Sequence, residues 1–155
     1  MIGIFDSGYG GLSIFRDIEK KLPQYDYIYL GDNARAPYGD RRQKLIYKYS
    51  QDAVDYLFAK GCKLIIFACN TASAMALRKL QQEYLPKKYP GRNILGVIHP
   101  LVETVSELKK NSKVGIMGTV STIDSKAYVN EFSSIKPSIL VFQQDNFRLE
   151  KFALD

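Results

Sequence analysis

The chain has 155 residues, which is enough for an ordinary domain with a hydrophobic core. Hydrophobic residues make up 46% of it and charged residues 25%, and this composition excludes disordered and low-complexity proteins. The longest uninterrupted apolar stretch, at residues 64–69, is too short to cross a bilayer, and the N-terminus lacks the pattern of a signal peptide. We therefore expect a cytoplasmic protein with no membrane partner.

The net charge of +6 raises the question of nucleic-acid binding. However, the basic pairs lie far apart in the sequence, near the ends of predicted helices, at residues 20–21, 41–42, 87–88 and 109–110. Basic side chains at helix C-termini complement the helix dipole, so solvated surface charge is favoured over a nucleic-acid interface. A positive field also suits a small anionic substrate.

Short β-rich runs alternate with amphipathic runs along the chain. Strands are predicted at residues 1–5, 27–30, 63–68, 93–98, 113–117 and 138–142, and helices at residues 12–21, 42–60, 72–84, 101–110 and 124–132. This order predicts an α/β fold with doubly wound lobes on parallel sheets. The Lys-, Pro- and Gly-rich stretch at residues 84–93 predicts a boundary, with a first lobe at 1–92 and a second at 93–155. Ligands of such sheets bind beyond the carboxyl ends of the strands.

The loop after the first strand reads FDSGYGGL. Its glycines let the backbone turn sharply into a helix whose N-terminus suits a carboxylate. Gly8, Gly10 and Ser13 nearly match the G-x-G-x-x-G pattern, and Asp32 lies at a suitable distance to contact a ribose, so a nucleotide-binding module is an alternative. The missing third glycine and the negative charge of Asp6 disfavour that alternative.

The loop after the third strand reads ACNTAS and contains Cys69. We expect the thiol to have a lowered pKa, because the N-terminus of the following helix favours the thiolate. Asn70 and Thr71 can hydrogen-bond a carboxylate, although Thr71 can equally be the helix N-cap. On this motif alone, buried packing is as good an interpretation of Cys69 as catalysis.

Two further loops are rich in turn-forming and hydroxyl residues. The loop GDNARAPYG ends in Pro37, Tyr38 and Gly39, and its simplest interpretation is a surface turn against which Tyr38 packs. The loop GTVSTIDS contains hydroxyl groups that can bind a carboxylate or cap the next helix. A single histidine, His99, without a Cys/His cluster gives no metal site.

FDSGYGGL, GDNARAPYG and ACNTAS resemble, in order and spacing, the three N-terminal signatures of the glutamate racemases. GVIHP and GTVSTIDSKAY resemble the next two segments, so the resemblance covers residues 2–144. GDNARAPYG resembles glutamate racemases rather than the aspartate or hydantoin racemases of the wider superfamily. His99 lies in the variable position of GVIHP and is interpreted as a loop residue.

The resemblance implies an isomerase that interconverts L- and D-glutamate without a cofactor, by means of two cysteine thiols on opposite faces of the α-carbon. It implies that Cys69 is one acid/base thiol and that Asp6 orients or assists it. The positions that match substrate-binding residues of the family are Ser7, Tyr38, Gly39, Asn70, Thr71, Thr119 and Thr122. The resemblance further implies glutamate as the small-molecule partner, a homodimer as a candidate assembly, and a role in peptidoglycan synthesis.

The family's second thiol has no counterpart in this sequence. Cys62 precedes the strand that ends at Cys69, and a seven-residue strand spans about 23 Å, so Cys62 is expected at the opposite end of the sheet as buried packing. The tail after Gln144 departs from the family pattern, which we interpret as a frameshift, a premature stop or an incomplete gene record. We accordingly expect a catalytically inactive racemase fragment, poorly soluble or oligomeric, as the alternative to an active enzyme.

Overall fold

The computed structural model describes residues 1–108 and 113–145. Its strands are β1 (Ile2–Asp6), β2 (Tyr27–Gly31), β3 (Leu64–Phe67), β4 (Asn93–Gly96), β5 (Lys113–Gly118) and β6 (Leu140–Asp145). Its α-helices are α1 (Gly11–Lys21), α2 (Gln43–Ala59), α3 (Asn70–Ala72), α4 (Leu85–Lys88), α5 (Ile98–Leu108), α6 (Val120–Asp124) and α7 (Ala127–Ile135). The predicted strands are confirmed, with ends that differ by a few residues at most.

Four of the strands form a parallel sheet in the order β2-β1-β3-β4. The strand β1 is paired on both sides, with Ile4 opposite Tyr29 on β2 and opposite Ile66 on β3. All of β1 is buried, which explains why its sequence lacks the polar alternation of a half-exposed strand. Because the four strands run in one direction, the loops after their carboxyl ends share one edge of the sheet.

Helices pack on the two faces of this sheet. The helix α2 buries one stripe at the helical period, consisting of Ile46, Ala53, Val54, Leu57 and Phe58. This stripe belongs to the same core as Phe5 and Phe67, whose rings meet edge to face with their centroids 5.0 Å apart. On the opposite face, α1 packs Ile14 and Phe15 over the buried side chains of β1. The strands of the site are thus held between two helical layers.

A second parallel sheet consists of β5 and β6, and its core includes Val102 from α5 and Phe132 from α7. The sequence placed residues 93–96 at the start of a second lobe, and in the structure these residues form β4 of the first sheet. The strand β4 pairs with β3 in the first sheet, and Ile94 is buried in the core of that sheet. The change of sheet therefore falls between β4 and β5, and the division into lobes stays a prediction.

The helix predicted at residues 72–84 is longer at both ends. The backbone is helical from residue 70 to residue 88, with two π-helical segments, Ser73–Leu77 and Leu80–Tyr84, between α3 and α4. Pro86 was expected to close this helix, but it lies in the first turn of α4. Proline lacks an N–H and crowds the carbonyl one turn earlier, and the wider π turn before it relieves that crowding.

The helix predicted at residues 124–132 is two helices. Lys126 has a φ of +55°, and this left-handed conformation separates α6 from α7. The helix predicted at 101–110 begins earlier, so His99 lies in the first turn of α5 and not in a loop. Residues 109–110 and the tail after Asp145 lie outside the described residues. Within the described residues, no helix combines the length and hydrophobicity that a membrane span requires.

Candidate active site

The loops that follow β1, β2, β3 and β5 meet at the carboxyl edge of the sheets. Ser7, after β1, lies within hydrogen-bond distance of Cys69, after β3, at 3.3 Å between Oγ and Sγ. Thr71 contacts Thr119, after β5, at 3.0 Å between the hydroxyl oxygens. The loop after β2 joins them, because the Ser121 N–H donates to the Gly39 carbonyl. The four sequence motifs therefore form one site.

Asp6 is the last residue of β1 and is only 5% exposed. Its Oδ1 accepts a hydrogen bond from the Ser7 N–H at 2.9 Å, and its Oδ2 accepts one from the Gly11 N–H at 2.8 Å. Position 11 must be glycine, because a Cβ there would lie 2.9 Å from Asp6 Cβ. The carboxylate thus occupies the N-terminus of α1, where the pyrophosphate of a dinucleotide would bind, which argues against the nucleotide-binding alternative.

Cys69 follows β3 directly and is 6% exposed. It is the N-cap of α3, and its Sγ accepts a hydrogen bond from the Ala72 N–H at 3.4 Å. The sulfur lies at the tip of the strand next to Asp6 and Ser7, so a ligand between the loops would meet it.

The pKa of the Cys69 thiol is raised, whereas the sequence predicted a lowered one. Burial, which penalises the thiolate, is the largest cause, and the negative charge of Asp6 adds to it. Hydrogen bonds from Ser7 and from the Ala72 N–H favour the thiolate but do not outweigh burial. The sulfur is therefore a thiol at neutral pH, and it becomes a base only if something offsets the cost of its charge.

The side chain of Tyr38 is buried in the core that also contains Cys69. It is 1% exposed, and its hydroxyl donates a 2.5 Å hydrogen bond to Asp32 Oδ2. The predicted packing role is confirmed, although the loop after β2 is anchored more firmly than a simple surface turn: Arg35 donates to Asp32 and to Asp52 at 2.7 and 2.9 Å. Because its side chain is buried, Tyr38 can contact a substrate only through its backbone. The N–H groups of Tyr38 and Gly39 have no acceptor among the described residues.

Three threonine hydroxyls form a closed triangle beside Gly39. The Thr71 oxygen lies 3.0 Å from that of Thr119 and 3.3 Å from that of Thr122, and the last two are 2.9 Å apart. Thr119 is the N-cap of α6 and also accepts from the Thr122 N–H at 3.3 Å. Hydroxyl groups rotate freely and can turn their protons to an incoming carboxylate. The predicted alternatives of capping and ligand binding are therefore compatible here.

Asn70 is exposed at the start of α3 and is held by one hydrogen bond. The hydroxyl of the buried Tyr128 donates to Asn70 Oδ1 at 2.7 Å. The amide nitrogen of Asn70 then has no acceptor among the described residues, and the backbone N–H groups of Asn70 and Thr71 have none either. These donors point from a helix N-terminus, an arrangement that favours an anion.

Cys62 lies at the other end of the sheet, as predicted. It is fully buried, and its Sγ packs over Gly3 near the start of β1, whereas Cys69 lies beside Asp6 at the end of that strand. Arg92 donates to the Cys62 carbonyl at 2.6 Å and closes this end of the molecule. Cys62 therefore cannot act together with Cys69 on one substrate carbon.

Three residues hold the site in place through contacts that the sequence did not predict: Tyr29, Ser121 and Tyr128. The Tyr29 hydroxyl can donate to Asp6 or to the Gly8 carbonyl. The Ser121 hydroxyl donates to the Arg41 carbonyl, and the Tyr128 hydroxyl donates to Asn70. Each bond joins groups far apart in the chain, so no local motif marks it. The alternation of Tyr27 and Tyr29 along β2 could have indicated that both face α1, but not which would lie next to Asp6.

A separate groove of about 780 Å³ lies between the π-helical segments, β4, α5 and α7. Its lining includes His99 and Glu131, which are hydrogen-bonded to each other, and contains none of the predicted site residues. Hydrogen bonding to Glu131 raises the pKa of His99.

In the part of the chain that the structure describes, no cluster of His, Cys, Asp and Glu side chains is arranged to hold a metal ion.

Known proteins share both the sequence and the fold of this chain. The glutamate racemase of Persephonella marina is 41% identical over 144 residues, which are 92% of this chain and 52% of that protein. The structure of the glutamate racemase of Aquifex pyrophilus matches with a TM-score of 0.83 at 40% identity, covering 93% of this chain and 54% of that one. The chain is homologous to the glutamate racemases. No protein-family model matches it.

The glutamate racemase of Francisella tularensis, solved in complex with D-glutamate, matches with a TM-score of 0.81 at 36% identity. The match covers 93% of this chain and 52% of that one. These matches confirm the resemblance to glutamate racemases and the parallel α/β fold that the motifs predicted. The chain spans about half the length of the curated glutamate racemases it matches.

Proposed function

We propose that the chain forms the part of a glutamate racemase that binds glutamate and moves a proton at one face of its α-carbon through Cys69. The observation that carries this proposal is the position of the Cys69 sulfur. It lies beside Asp6 and Ser7, at the edge where threonine hydroxyls converge with N–H groups that have no acceptor among the described residues. Few substrates other than a small amino acid with more than one carboxylate would use all of these groups.

The carboxylates of glutamate have two sets of donors. One set is the N-terminus of α3, where the N–H groups of Asn70 and Thr71 and the amide of Asn70 have no acceptor in the described part of the chain. The other is the backbone of Tyr38 and Gly39 next to the threonine triangle. Both sets consist of preorganised donors that need little rearrangement to bind an anion.

The chemical step requires Cys69 as a thiolate. Its pKa is raised by burial and by Asp6, so we infer that the ammonium group of bound glutamate supplies the positive charge that favours ionisation. The thiolate then takes the α-proton and becomes a thiol, while the electron pair of the C–H bond moves into the adjacent carboxylate. Return of a proton to the same face restores the starting amino acid, and delivery of a proton to the opposite face inverts it.

Inversion in this proposal needs a second thiol on the opposite face. Cys62 is the only other cysteine of the sequence, and it is buried at the far end of the sheet. The 155 residues therefore provide one half of the proton relay and leave inversion to a group outside them. In the complete reaction the product D-glutamate would supply peptidoglycan synthesis.

Exchange of the glutamate α-hydrogen in D₂O, followed by proton NMR for each enantiomer, tests the proposal. We expect exchange without inversion in the enantiomer whose α-hydrogen faces Cys69. Cys69→Ser should abolish this exchange, because an alcohol is a far weaker acid than a thiol. Cys62→Ser is the matched control and should retain it. Exchange that survives in Cys69→Ser, or no exchange in the unsubstituted chain, would contradict the proposal.

A further inference from the structure

Asp6 has one side-chain partner that the proposed function leaves unused. The hydroxyl of Tyr29, on the neighbouring strand β2, lies 3.3 Å from Asp6 Oδ2 and 3.1 Å from the Gly8 carbonyl, and can donate to either. The other donors to Asp6 are the backbone N–H groups of Ser7 and Gly11. Tyr29 is thus the only side chain that donates to this carboxylate within the described residues.

The parallel register explains how a tyrosine comes to lie there. Ile4 on β1 pairs with Tyr29, two residues before Asp6, so the Tyr29 ring runs along the sheet face toward the end of β1. Phe15 of α1 contacts the ring with a centroid distance of 5.9 Å and fixes its direction. The hydroxyl then lies between the carboxylate and the glycine loop.

We propose that Tyr29 is a positioning residue that fixes the Asp6 carboxylate and the Gly8 turn, and through them sets the readiness of Cys69 to lose its proton. The inference rests on the proposed role of Cys69 and extends it to a residue outside every recognised motif. The hydroxyl donates to the carboxylate and withdraws part of its negative charge from the space around the sulfur. Without the hydroxyl, Asp6 would oppose the thiolate more strongly.

The groups around Cys69 come from several elements. The carboxylate of Asp6 from β1 opposes its charge, and the Ser7 hydroxyl and the Ala72 N–H hydrogen-bond its sulfur. Tyr29 from β2 and Tyr38 from the loop before α2 lie close enough for a charge on Cys69 to raise their pKa. Burial and the Asp6 charge raise the pKa of Tyr29 well above its ordinary value. Tyr29 therefore keeps its proton across the pH range in which the thiol titrates and acts as a fixed donor.

Tyr27 provides a matched control on the same strand. Its side chain points to the same face, and its ring also meets Phe15, at a centroid distance of 5.4 Å. Its hydroxyl, however, donates to the Leu22 carbonyl at 2.7 Å, away from the site. Tyr27→Phe and Tyr29→Phe each remove one hydroxyl from a ring of β2 that contacts Phe15, and only the second removes it from Asp6.

The test is the pH dependence of Cys69 alkylation by iodoacetamide, measured by peptide mass spectrometry on chains whose melting temperatures are compared first. Because the thiolate is the reactive form, the rate reports its population. At a fixed pH below the midpoint of the pH–rate profile, Tyr29→Phe should slow alkylation about three- to tenfold. This is the effect of raising that midpoint by about 0.5 to 1 pH unit. Tyr27→Phe should follow the unsubstituted chain. Superimposed profiles for Tyr29→Phe and the unsubstituted chain, or equal shifts in both variants, would overturn the proposal.

A second measurement needs no substitution of Tyr29. In protein with ¹³C-labelled tyrosine, the Cζ signal of Tyr29 should titrate at lower pH in Asp6→Asn than in the unsubstituted chain. An unchanged titration would show that the two groups do not interact and would overturn the inference. Both measurements are made without glutamate, so their failure leaves the proposed function standing, and failure of α-hydrogen exchange leaves their result intact.

Discussion

Gly39 and Thr119 meet across the boundary between the two sheets with no space for a side chain between them. A Cβ at position 39 would lie 2.7 Å from Thr119 Cγ2 and 2.8 Å from Thr119 Cβ. This contact, together with the hydrogen bond from the Ser121 N–H to the Gly39 carbonyl, places the loop after β2 against the N-terminus of α6. The threonine triangle depends on it.

We therefore expect Gly39→Ala to displace Thr119 and weaken glutamate binding at least tenfold, with a loss of stability of about 1–3 kcal/mol from overpacking. Gly115→Ala is the control, because a Cβ at that position meets nothing within 4 Å. Glutamate affinity is measured by the protection of Cys69 from alkylation, and stability is measured by unfolding in urea. Equal glutamate affinity in the two variants would show that the contact is unimportant.

The charge of Asp6 should be visible in the reactivity of Cys69. Because the carboxylate contributes to the raised pKa of the thiol, Asp6→Asn should lower that pKa and speed alkylation below the midpoint. Asp17→Asn changes the same charge on the exposed surface of α1 and should have no effect. Alkylation that is slower in Asp6→Asn than in Asp17→Asn would mean that the hydrogen bonds of Asp6 matter more than its charge.

The raised pKa of Cys69 also predicts how stability changes with pH. A thiol whose pKa is higher in the folded chain than in the unfolded chain stabilises the fold below the unfolded value, near 8.5, and this stabilisation is lost as the pH rises through the folded value. The free energy of unfolding should thus decrease above about pH 8.5. Cys69→Ser should have a shallower decrease over this range. An identical slope in Cys69→Ser would indicate that other groups cause it.

A separate cluster joins α2 to the helical segment that ends in α4. Asp55 accepts hydrogen bonds from Tyr84, Lys88 and Tyr89 at 2.7–2.9 Å. Burial opposes its charge, but these donors lower the pKa of Asp55 overall. Its stabilising effect is then present above the unfolded pKa, near 3.9, and is lost as the pH falls through the folded value.

We expect Asp55→Asn to reduce the free energy of unfolding at neutral pH by about 1–2 kcal/mol, a modest value because the side chain is partly exposed. The reactivity of Cys69 should not change, since the cluster lies away from the site. Urea denaturation at pH 7 and below pH 3 measures the effect, and the difference between variant and unsubstituted chain should shrink at the lower pH. A difference that stays constant with pH would contradict the account of the carboxylate.

Local patterns predicted most of the secondary structure, because strand and helix periodicities are properties of neighbouring residues. They failed where contacts between residues far apart in the chain determine the backbone conformation or the strand pairing. The π-helical turns before Pro86 and the pairing of β4 with β3 depend on packing that no short window contains. The left-handed Lys126, which divides one predicted helix into two, has no glycine or asparagine to mark it.

The sequence predicted residues that the structure brings together, but it did not predict their electrostatics. The motifs identified Asp6, Cys69 and the threonines, and the structure brings them together. The pKa of Cys69 was predicted with the wrong sign, because the helix N-terminus is visible in the sequence whereas the extent of burial is not. The same limit explains why the side chain of Tyr38 lies in the core although its motif indicated the site.

The separation of the two cysteines predicts that the chain by itself does not invert glutamate. Cys62 lies at the opposite end of the sheet from Cys69, so it cannot be the second thiol that the proposed mechanism places on the far face of the α-carbon. Chiral chromatography of incubations with L-glutamate should detect no D-glutamate above the level in Cys69→Ser. Accumulation of D-glutamate in the unsubstituted chain only would show that one thiol is enough.

The central claim is that glutamate binds against the Cys69 sulfur, and protection of that sulfur from alkylation tests it most directly. The rate is measured at increasing concentrations of D- and L-glutamate, with L-leucine as an amino acid that lacks the second carboxylate. We predict that glutamate slows alkylation of Cys69 in a saturable manner, that leucine has little effect, and that protection is lost in Thr71→Val. An alkylation rate that is the same with and without glutamate would contradict the claim.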